Sequence, residues 1–134
     1  MKTYAIKSKS DLDKFWQEDE QRYFVEGNLS VQCDLKIAYS LYVSGSLSIK
    51  AGWSIEAGES IKAGWYIEAG GSIEAGGSIE AGGSIEAGES IEVGLRIFAG
   101  MVLWRLPSED ELAIRCRELK GGQIAIGKLV LWEG

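Results

Sequence analysis

The stretch Gly71-Ser72-Ile73-Glu74-Ala75-Gly76 is followed by two further copies of Gly-Ser-Ile-Glu-Ala-Gly, which begin at Gly77 and Gly83. The repeat period is therefore six residues. The same phase extends well beyond these copies, because an aliphatic residue occupies every sixth position over thirteen consecutive repeats. These residues are Val25, Val31, Ile37, Val43, Ile49, Ile55, Ile61, Ile67, Ile73, Ile79, Ile85, Ile91 and Ile97. An unbroken series of this length predicts stacked structural repeats.

A second period, of two residues, accompanies the first. Between Val25 and Leu103 the odd positions are mainly apolar or small, and the even positions are mainly Ser, Glu, Lys or Gly. This alternation is typical of β-strands that bury one face, so we expect the odd residues to point inward. From Ala51 onward an Ala-Gly pair follows nearly every Ile-Glu or Ile-Lys pair. Because glycine tolerates a positive φ and a close backbone approach, it marks the expected corners.

A short strand with a corner every six residues cannot bury its apolar face alone, so the repeats must coil and stack. Three sides close a coil of about 18 residues, and the thirteen repeats make a little over four coils. The sequence thus predicts an all-β fold, a triangular β-helix or β-solenoid. We expect a single domain, with an N-terminal cap over residues 1–24, the solenoid over 25–103 and a C-terminal cap over 104–134.

Both caps have their own sequence signals. The segment from Ser10 to Trp16 offers a capping serine, acidic residues in the first turn and apolar Leu12, Phe15 and Trp16, which predicts a short amphipathic helix. At the other end, residues 107–112 predict a turn or the start of a short helix. Residues 114–119 and 123–131 predict strands around Lys120-Gly121-Gly122, as a hairpin or an atypical last coil.

Composition limits the classes of function. The net charge of −6 argues against direct binding to nucleic acid or to an anionic membrane, and favours a basic protein partner. No apolar run approaches the roughly 20 residues that span a bilayer, so a cytoplasmic location is expected. Cys33 and Cys116 are too few for a disulfide framework and are expected to be unpaired structural thiols.

No catalytic, cofactor or metal site is predicted. Six-residue periodicity resembles the acyltransferases built on a hexapeptide β-helix, but their general base is a histidine and this chain has none. The evenly spaced glycines do not form a phosphate-binding loop, and tetrahedral metal sites need clustered Cys or His. We therefore expect a protein that is not an enzyme.

Outward residues remain as candidates for a binding site. Residues 18 apart should stack on one face, which predicts three ladders of outward side chains. These are Glu56, Glu74 and Glu92; Lys50, Glu68 and Glu86; and Lys62, Glu80 and Phe98. The glutamates are either solubilising residues copied with the repeat, or a row that imitates phosphates and engages a basic partner.

Aromatic residues add a second candidate surface. Trp53 and Trp65 occupy the repeat position that holds glycine or glutamate in other repeats. A position that accepts both Trp and Glu is a poor candidate for full burial. Trp53, Trp65 and Tyr66 are therefore predicted to form an exposed aromatic patch suited to an interface. The alternative is that the indoles fill wider coils near the N-terminal cap.

Two stretches carry family resemblances. Residues 25–31 and 41–49 resemble the polymer-forming bactofilin repeat, which implies a right-handed triangular β-helix. The central Ser-Ile-Glu-Ala-Gly run, with Arg96-Ile97-Phe98-Ala99-Gly100 and Trp104-Arg105-Leu106-Pro107, is similar to small solenoid proteins of phages and prophages. That second resemblance implies an inhibitor of host defence of the anti-CRISPR kind, and pentapeptide-repeat solenoids that mimic DNA offer a physical analogy.

These observations favour a non-catalytic phage or mobile-element protein that binds a nucleic-acid-handling protein, such as a CRISPR effector, through acidic faces and the aromatic patch. The alternative is a self-assembling scaffold of the bactofilin kind, and a homodimer is compatible with either.

Overall fold

The chain forms a β-solenoid of about six stacked coils, described by a computed structural model over residues 2–101 and 105–132. Its early strands are β1 (Thr3–Ile6), β2 (Trp16–Gln17), β3 (Arg22–Val25), β4 (Asn28–Val31), β5 (Leu35–Ile37), β6 (Ser40–Val43) and β7 (Leu47–Ile49). The central strands are β8 (Ile55–Ala57), β9 (Ile61–Ala63), β10 (Ile67–Ala69), β11 (Ile73–Ala75), β12 (Ile79–Ala81) and β13 (Ile85–Ala87). The late strands are β14 (Ser90–Val93), β15 (Arg96–Phe98), β16 (Ala113–Cys116), β17 (Glu118–Lys120), β18 (Gln123–Ile126) and β19 (Lys128–Leu131).

Three sheets form the sides of the solenoid. Face 1 has the strand order β1-β4-β7-β10-β13-β16-β19, face 2 has β5-β8-β11-β14-β17, and face 3 has β2-β3-β6-β9-β12-β15-β18. Every pairing between these strands is parallel except that of β2 with β3. Successive coils therefore stack strand on strand, and the predicted fold class is confirmed.

The core is a column of inward aliphatic side chains. All thirteen residues of the six-residue series are buried, with at most 3% of the surface of any one exposed, and the early leucines Leu29, Leu35, Leu41 and Leu47 are buried with them. Each fully buried Ile or Leu stabilises the fold by roughly 1.5–3 kcal/mol. Within the strands the odd positions point inward as predicted, but at the corners odd residues such as Trp53, Trp65 and Leu95 are exposed.

Coil length is not uniform along the axis. Ile61 pairs with Ile79 in the following coil and with Leu41 in the preceding one, so the preceding coil is longer by two positions. The additional positions lie in the turn at 50–53, where the Trp53 N–H donates to the Lys50 carbonyl at 3.1 Å and Gly52 has a φ of +88°. Inward and outward positions are preserved because the insertion is even.

The insertion shifts the phase of the repeat. From β3 to β7 the six-residue series ends each strand, and from β8 to β13 it begins each strand. Ile49 consequently lies beside Ala69, while Leu47 lies beside Ile67. The aliphatic series is thus continuous in sequence but changes column at the turn.

Serines before the strands have a structural role that the repeat pattern did not reveal. The Ser54 Oγ accepts the backbone N–H of Ser72 at 2.8 Å, and the Ser60 Oγ accepts that of Ser78 at 2.9 Å. Each bond joins one coil to the next and satisfies an amide at a corner, where no strand partner is available. The serine of the Gly-Ser-Ile-Glu-Ala-Gly repeat is therefore a stacking residue on these two corners.

Glycines at the corners are needed for close approach rather than for a positive φ. At Gly64, Gly76, Gly82, Gly88 and Gly94 a Cβ atom would overlap the carbonyl group of the coil beneath, and none of these residues has a positive φ. The sequence analysis gave two reasons for glycine at the corners, a positive φ and a close backbone approach, and at these five corners the close approach is the one that applies.

The N-terminal cap contains the predicted helix, with a different start. It is a 3-10 helix over Lys9–Phe15, preceded by Ser8 rather than by the predicted Ser10, and the Ser8 side chain makes no capping hydrogen bond. Instead, the Lys7 N–H donates to Asp11 Oδ2 at 2.9 Å. Leu12 is fully buried, which anchors the helix over the first coil.

The C-terminal segment is a further coil and not a hairpin, because β16 to β19 pair in parallel with β13, β14, β15 and β16. Ile85 pairs with Ile114, which is well over one regular coil further along the chain, so a loop leaves the solenoid before the last coil. Predictions that fall on Val102, Leu103 and Trp104 lie outside the described residues. Residues 109–112 form the predicted turn.

Adjacent glycines provide a matched test of corner packing. Gly82→Ala places its Cβ against the Gly64 carbonyl, whereas Gly83→Ala meets only ordinary contacts of 3.4 Å or more. We expect Gly82→Ala to destabilise the fold by at least about 2 kcal/mol, as overpacking does. Gly83→Ala should be neutral or slightly stabilising, because it restricts the unfolded chain. Urea unfolding followed by circular dichroism measures both, and equal effects would contradict the packing argument.

Candidate acidic interface and neighbouring pocket

Face 2 carries an acidic row in register. Glu74 pairs directly with Glu56 on one side and with Glu92 on the other, as predicted. The central residue of each strand points outward, and stacked strands are about 4.8 Å apart. The three carboxylates therefore form a straight row along the solenoid axis, which we call the acidic ladder.

Cations terminate the acidic ladder at both ends, which the sequence analysis did not predict. Lys36 precedes Glu56 in the row, and its Nζ lies 3.2 Å from a Glu56 carboxylate oxygen. Lys120 follows Glu92 in register. Both neighbours arise from coils that are longer than the regular repeat, so a uniform spacing does not find them. Negative charge is consequently concentrated at the middle of the row.

Close stacking separates the acidities of two neighbouring carboxyls. A hydrogen bond with Glu74, together with Lys36, lowers the pKa of Glu56. The pKa of Glu74 is raised, first by its hydrogen bond with Glu56, then by partial burial and by the charges of Glu56 and Glu92. The central carboxyl thus holds a proton more readily than Glu56 does.

A shallow groove of about 430 Å³ runs beside the acidic ladder. Its lining extends from Lys36 to Gly121 and includes all three glutamates and the corner glycines Gly58, Gly76 and Gly94. Because the glycines have no side chains, the groove stays open along four coils. Its acidic wall and glycine border provide space for an extended cationic segment.

Face 1 differs from its predicted arrangement. Glu68 and Glu86 are in register as predicted, but the residue beside Glu68 in the preceding coil is Ser48 and not Lys50. The two-residue insertion at 50–53 causes this difference. Arg115 follows Glu86, so only two carboxylates are adjacent on this face.

Face 3 is mixed, as predicted. Glu80 lies between Lys62 and Phe98 in register, and Tyr42 precedes Lys62. The Lys62 Nζ lies 3.9 Å from a Glu80 carboxylate oxygen and 5.1 Å from the centre of the Tyr42 ring. Neutralised in this way, Glu80 contributes little to a negative surface.

Aromatic residues are exposed as predicted, but they lie in two places. Trp53, Trp65 and Tyr66 are 41%, 55% and 43% exposed, so the indoles do not fill the core. Trp53 stacks over Gly71 and Trp65 stacks over Gly83, and these glycines occupy different corners of one coil. Strand β10 separates the two corners. A single patch of all three residues is therefore wrong, and only Trp65 and Tyr66 are neighbours.

Trp65 borders a pocket of about 280 Å³ between face 3 and residues 105–112 before β16, which we call the late loop. The side chains that line it include Tyr42, Lys62, Trp65, Glu80, Met101, Arg105 and Glu111. Arg105 donates two hydrogen bonds to Glu111, at 2.6 and 2.7 Å. These bonds, with the Ser108 N–H, lower the pKa of Glu111 to about 2.

Sequence reasoning missed the Arg105–Glu111 pair, although a signal for it exists. Ser108 and Glu111 have the Ser-x-x-Glu spacing of a capping box, and each side chain binds the backbone N–H of the other at 2.9 and 3.3 Å. This reciprocal bonding fixes the conformation of the segment that supplies Arg105 and Glu111 to the pocket.

Two cysteines are the potentially reactive thiols within the part of the chain that the structure describes. Cys33 and Cys116 are unpaired, and burial raises the pKa of each thiol. Residues 2–101 and 105–132 contain no group of three or more potential metal ligands. Over the same ranges, no helix has the length and apolar character needed to cross a bilayer.

Comparison with known proteins gives no relative: the chain matches no family model, no curated protein and no solved structure.

The raised pKa of Glu74 predicts a pH-dependent gain in stability for Glu74→Gln. Above the raised pKa, Glu74 is charged in the folded and the unfolded chain, and this charge lowers the free energy of unfolding. The loss decreases as the pH falls through the raised pKa and is gone below the ordinary pKa. Glu74→Gln should therefore stabilise the fold at pH 7, by less than about 0.5 kcal/mol as is usual at a surface. The advantage should vanish in mild acid.

Thermal unfolding between pH 3.5 and 7 measures the effect. Glu59→Gln, at an exposed corner outside the acidic ladder, is the matched control and should show no such gain. A gain for Glu74→Gln that is constant with pH would contradict the assignment.

Proposed function

We propose that this chain is a non-catalytic binding protein that covers a basic, nucleic-acid-binding surface of another protein. The observation that carries the proposal is the acidic ladder beside an open groove. Three glutamates at the spacing of stacked strands form a row of negative charge, and the strand pairing fixes the backbone positions from which their side chains extend. A surface that evolved to bind a phosphate backbone is a suitable partner.

The partner class follows from charge and from the resemblance to phage solenoid proteins. A CRISPR effector or a related nucleic-acid-handling defence protein has the basic channel that the acidic ladder fits. Electrostatic complementarity of this kind raises the rate of association and makes it sensitive to salt. Inhibition would be by occupation of the nucleic-acid site, and the phage or mobile-element origin is part of the same proposal.

Trp65 and Tyr66 are a separate candidate contact. They lie at one corner next to the pocket, on the edge of face 1 that is remote from face 2. A large partner that reached both the acidic ladder and this corner would wrap around the solenoid. We assign the primary contact to the ladder, and the aromatic pair to the margin of the interface.

Charge reversal tests the proposal directly. Purified CRISPR effector–guide complexes are assayed for target-DNA binding with and without this protein, at several salt concentrations. We expect inhibition of at least one complex, weakening as salt rises. Glu56→Lys, Glu74→Lys and Glu92→Lys combined should remove it, with a loss of affinity of at least about 100-fold, in line with truncated interfacial charges.

A matched control uses the same change of charge at a distance. Asp19→Lys, Glu20→Lys and Glu26→Lys combined reverse three exposed acidic residues outside the acidic ladder. This variant should keep most of the inhibition. Equal loss in both variants would attribute binding to net charge, and no loss in the ladder variant would remove face 2 from the interface. Failure to inhibit any effector would overturn the proposed partner class.

A self-assembling scaffold of the bactofilin kind is the second candidate. It is supported by the resemblance of residues 25–31 and 41–49, and by strand edges at the C-terminal end of the solenoid. Open-ended filaments need both ends to be available for pairing, and the N-terminal end is covered by a helix. Sedimentation over a concentration series separates the two functions, because a scaffold gives polymers that grow with concentration.

A further inference from the structure

A pocket of about 270 Å³ lies at the N-terminal end of the corner between faces 2 and 3. Four side chains line it, those of Asp13, Trp16, Tyr23 and Tyr39, and we call this site the aromatic pocket. Three of the four are aromatic and the fourth is a carboxylate. The aromatic pocket shares no residue with the groove beside the acidic ladder or with the pocket beside Trp65.

Backbone pairing brings these four residues together from three parts of the chain. The Trp16 N–H donates to the Asp13 carbonyl where the 3-10 helix ends. Trp16 then lies opposite Tyr23 in the antiparallel pair of β2 and β3, so the two side chains are on the same side of that pair. Tyr39 immediately precedes β6, which pairs with β3. The aromatic pocket is therefore built on paired strands and on the helix that precedes them.

The three rings of the aromatic pocket are inclined to one another. The centre of the Trp16 ring lies 5.0 Å from that of Tyr23, at an interplanar angle of 62°, and 4.9 Å from that of Tyr39, at 54°. The Trp16 Nε1–H donates to Glu18 Oε2 at 2.6 Å, which fixes the indole. Tyr23 is 6% exposed and Tyr39 is 39% exposed, so the aromatic pocket has a buried floor and an accessible rim.

Electrostatics suit the aromatic pocket to a cation. The faces of aromatic rings attract positive charge, and Asp13 adds a carboxylate at the rim. Neighbouring rings already use this attraction, since Lys14 Nζ lies 5.2 Å from the centre of the Phe15 ring and the Arg22 guanidinium carbon lies 5.2 Å from that of Phe24. Among the residues that the structure describes, no Lys or Arg makes such a contact with a ring of the aromatic pocket or an ion pair with Asp13.

We propose that the aromatic pocket binds an organic cation whose head is an alkylated ammonium group, such as trimethylammonium. Such a head presents apolar methyl groups to the rings and carries a positive charge toward the carboxylate. A primary ammonium is strongly hydrated, and a wall of rings does not replace the hydrogen bonds that it gives up to water. The volume also fits, because it lies just below the range of about 300–1,000 Å³ for pockets that enclose larger ligands.

The alkylated ammonium group can come from a free small molecule or from a methylated lysine side chain of another protein. Tyr39 directly follows Ala38, which lines the groove beside the acidic ladder. A basic segment that lay in this groove would reach the aromatic pocket at its N-terminal end. The proposal does not depend on the proposed function, because a free ammonium ion needs no contact with the acidic ladder.

Choline and the neutral alcohol in which carbon replaces its nitrogen test the proposal, because the two molecules have the same shape and differ in charge. Nuclear magnetic resonance follows the indole N–H signal of Trp16, which is identified by its loss in Trp16→Phe. We expect choline to shift this signal saturably at millimolar concentrations, and the alcohol to bind at least about tenfold more weakly.

Peptides distinguish the two sources of the group. A short basic peptide that contains trimethyllysine is compared with choline and with the same peptide carrying unmodified lysine. Binding at least about tenfold tighter than that of choline, and lost without the methyl groups, assigns the cation to a protein side chain. Equal or weaker binding of the methylated peptide assigns it to a free small molecule.

Two substitutions at exposed positions test the lining residues without disturbing the core. Tyr39→Leu and Asp13→Asn should each weaken choline binding at least about fivefold, and Asp13→Asn should leave the binding of the neutral alcohol unchanged. Tyr42→Leu is the matched control, because its ring already lies 5.1 Å from Lys62 Nζ. It should bind choline as the wild type does, and circular dichroism checks that each variant is folded.

Several results would overturn the proposal. These are the absence of a saturable shift with choline, equal binding of choline and the neutral alcohol, and unchanged choline binding in Tyr39→Leu and Asp13→Asn. An equal loss in Tyr42→Leu would likewise place the cation outside the aromatic pocket.

Discussion

The whole solenoid depends on how closely one corner can stack on the corner beneath it. Parallel strands pair at about 4.8 Å, and a corner must keep that spacing although the chain is turning. At Gly82 and its equivalents a side chain would overlap the carbonyl beneath, so glycine is the residue that allows the spacing. Serine side chains then bond the corner amides that have no strand partner, as Ser54 does for Ser72.

The same spacing produces the candidate functional surface. Once the strands are in register, their central side chains are in register too, and identical repeats place identical charges side by side. Glu56, Glu74 and Glu92 are held in a row by backbone pairing, and the pKa of Glu74 is raised there, first by its hydrogen bond with Glu56 and then by burial and the neighbouring charges. This row, flanked by Lys36 at one end and Lys120 at the other, is the observation on which the proposed basic partner rests.

Much of this was predictable from the sequence, because periodicity reports directly on stacking. The coil, the inward residues and the acidic ladder all follow from the regular spacing of the repeats. Predictions failed where the spacing changes. Because of the turn at 50–53, the residue beside Glu68 on face 1 is Ser48 and not the predicted Lys50. The sequence pattern does not reveal this turn, because an insertion of two residues preserves the alternation of inward and outward positions. The late loop and the Arg105–Glu111 pair lie outside the repeat, so periodicity gave no information about them.

The change of register at residues 50–53 is the most direct test of the account, since the face on which each outward residue lies depends on it. In a Cys33→Ala and Cys116→Ala background, Ser48→Cys with Glu68→Cys should form an intramolecular disulfide rapidly on oxidation. Paired strands bring the two Cα atoms within the distance that a disulfide requires. Lys50→Cys with Glu68→Cys should form it poorly. Efficient cross-linking of the second pair and not of the first would show a coil of uniform length and contradict the account.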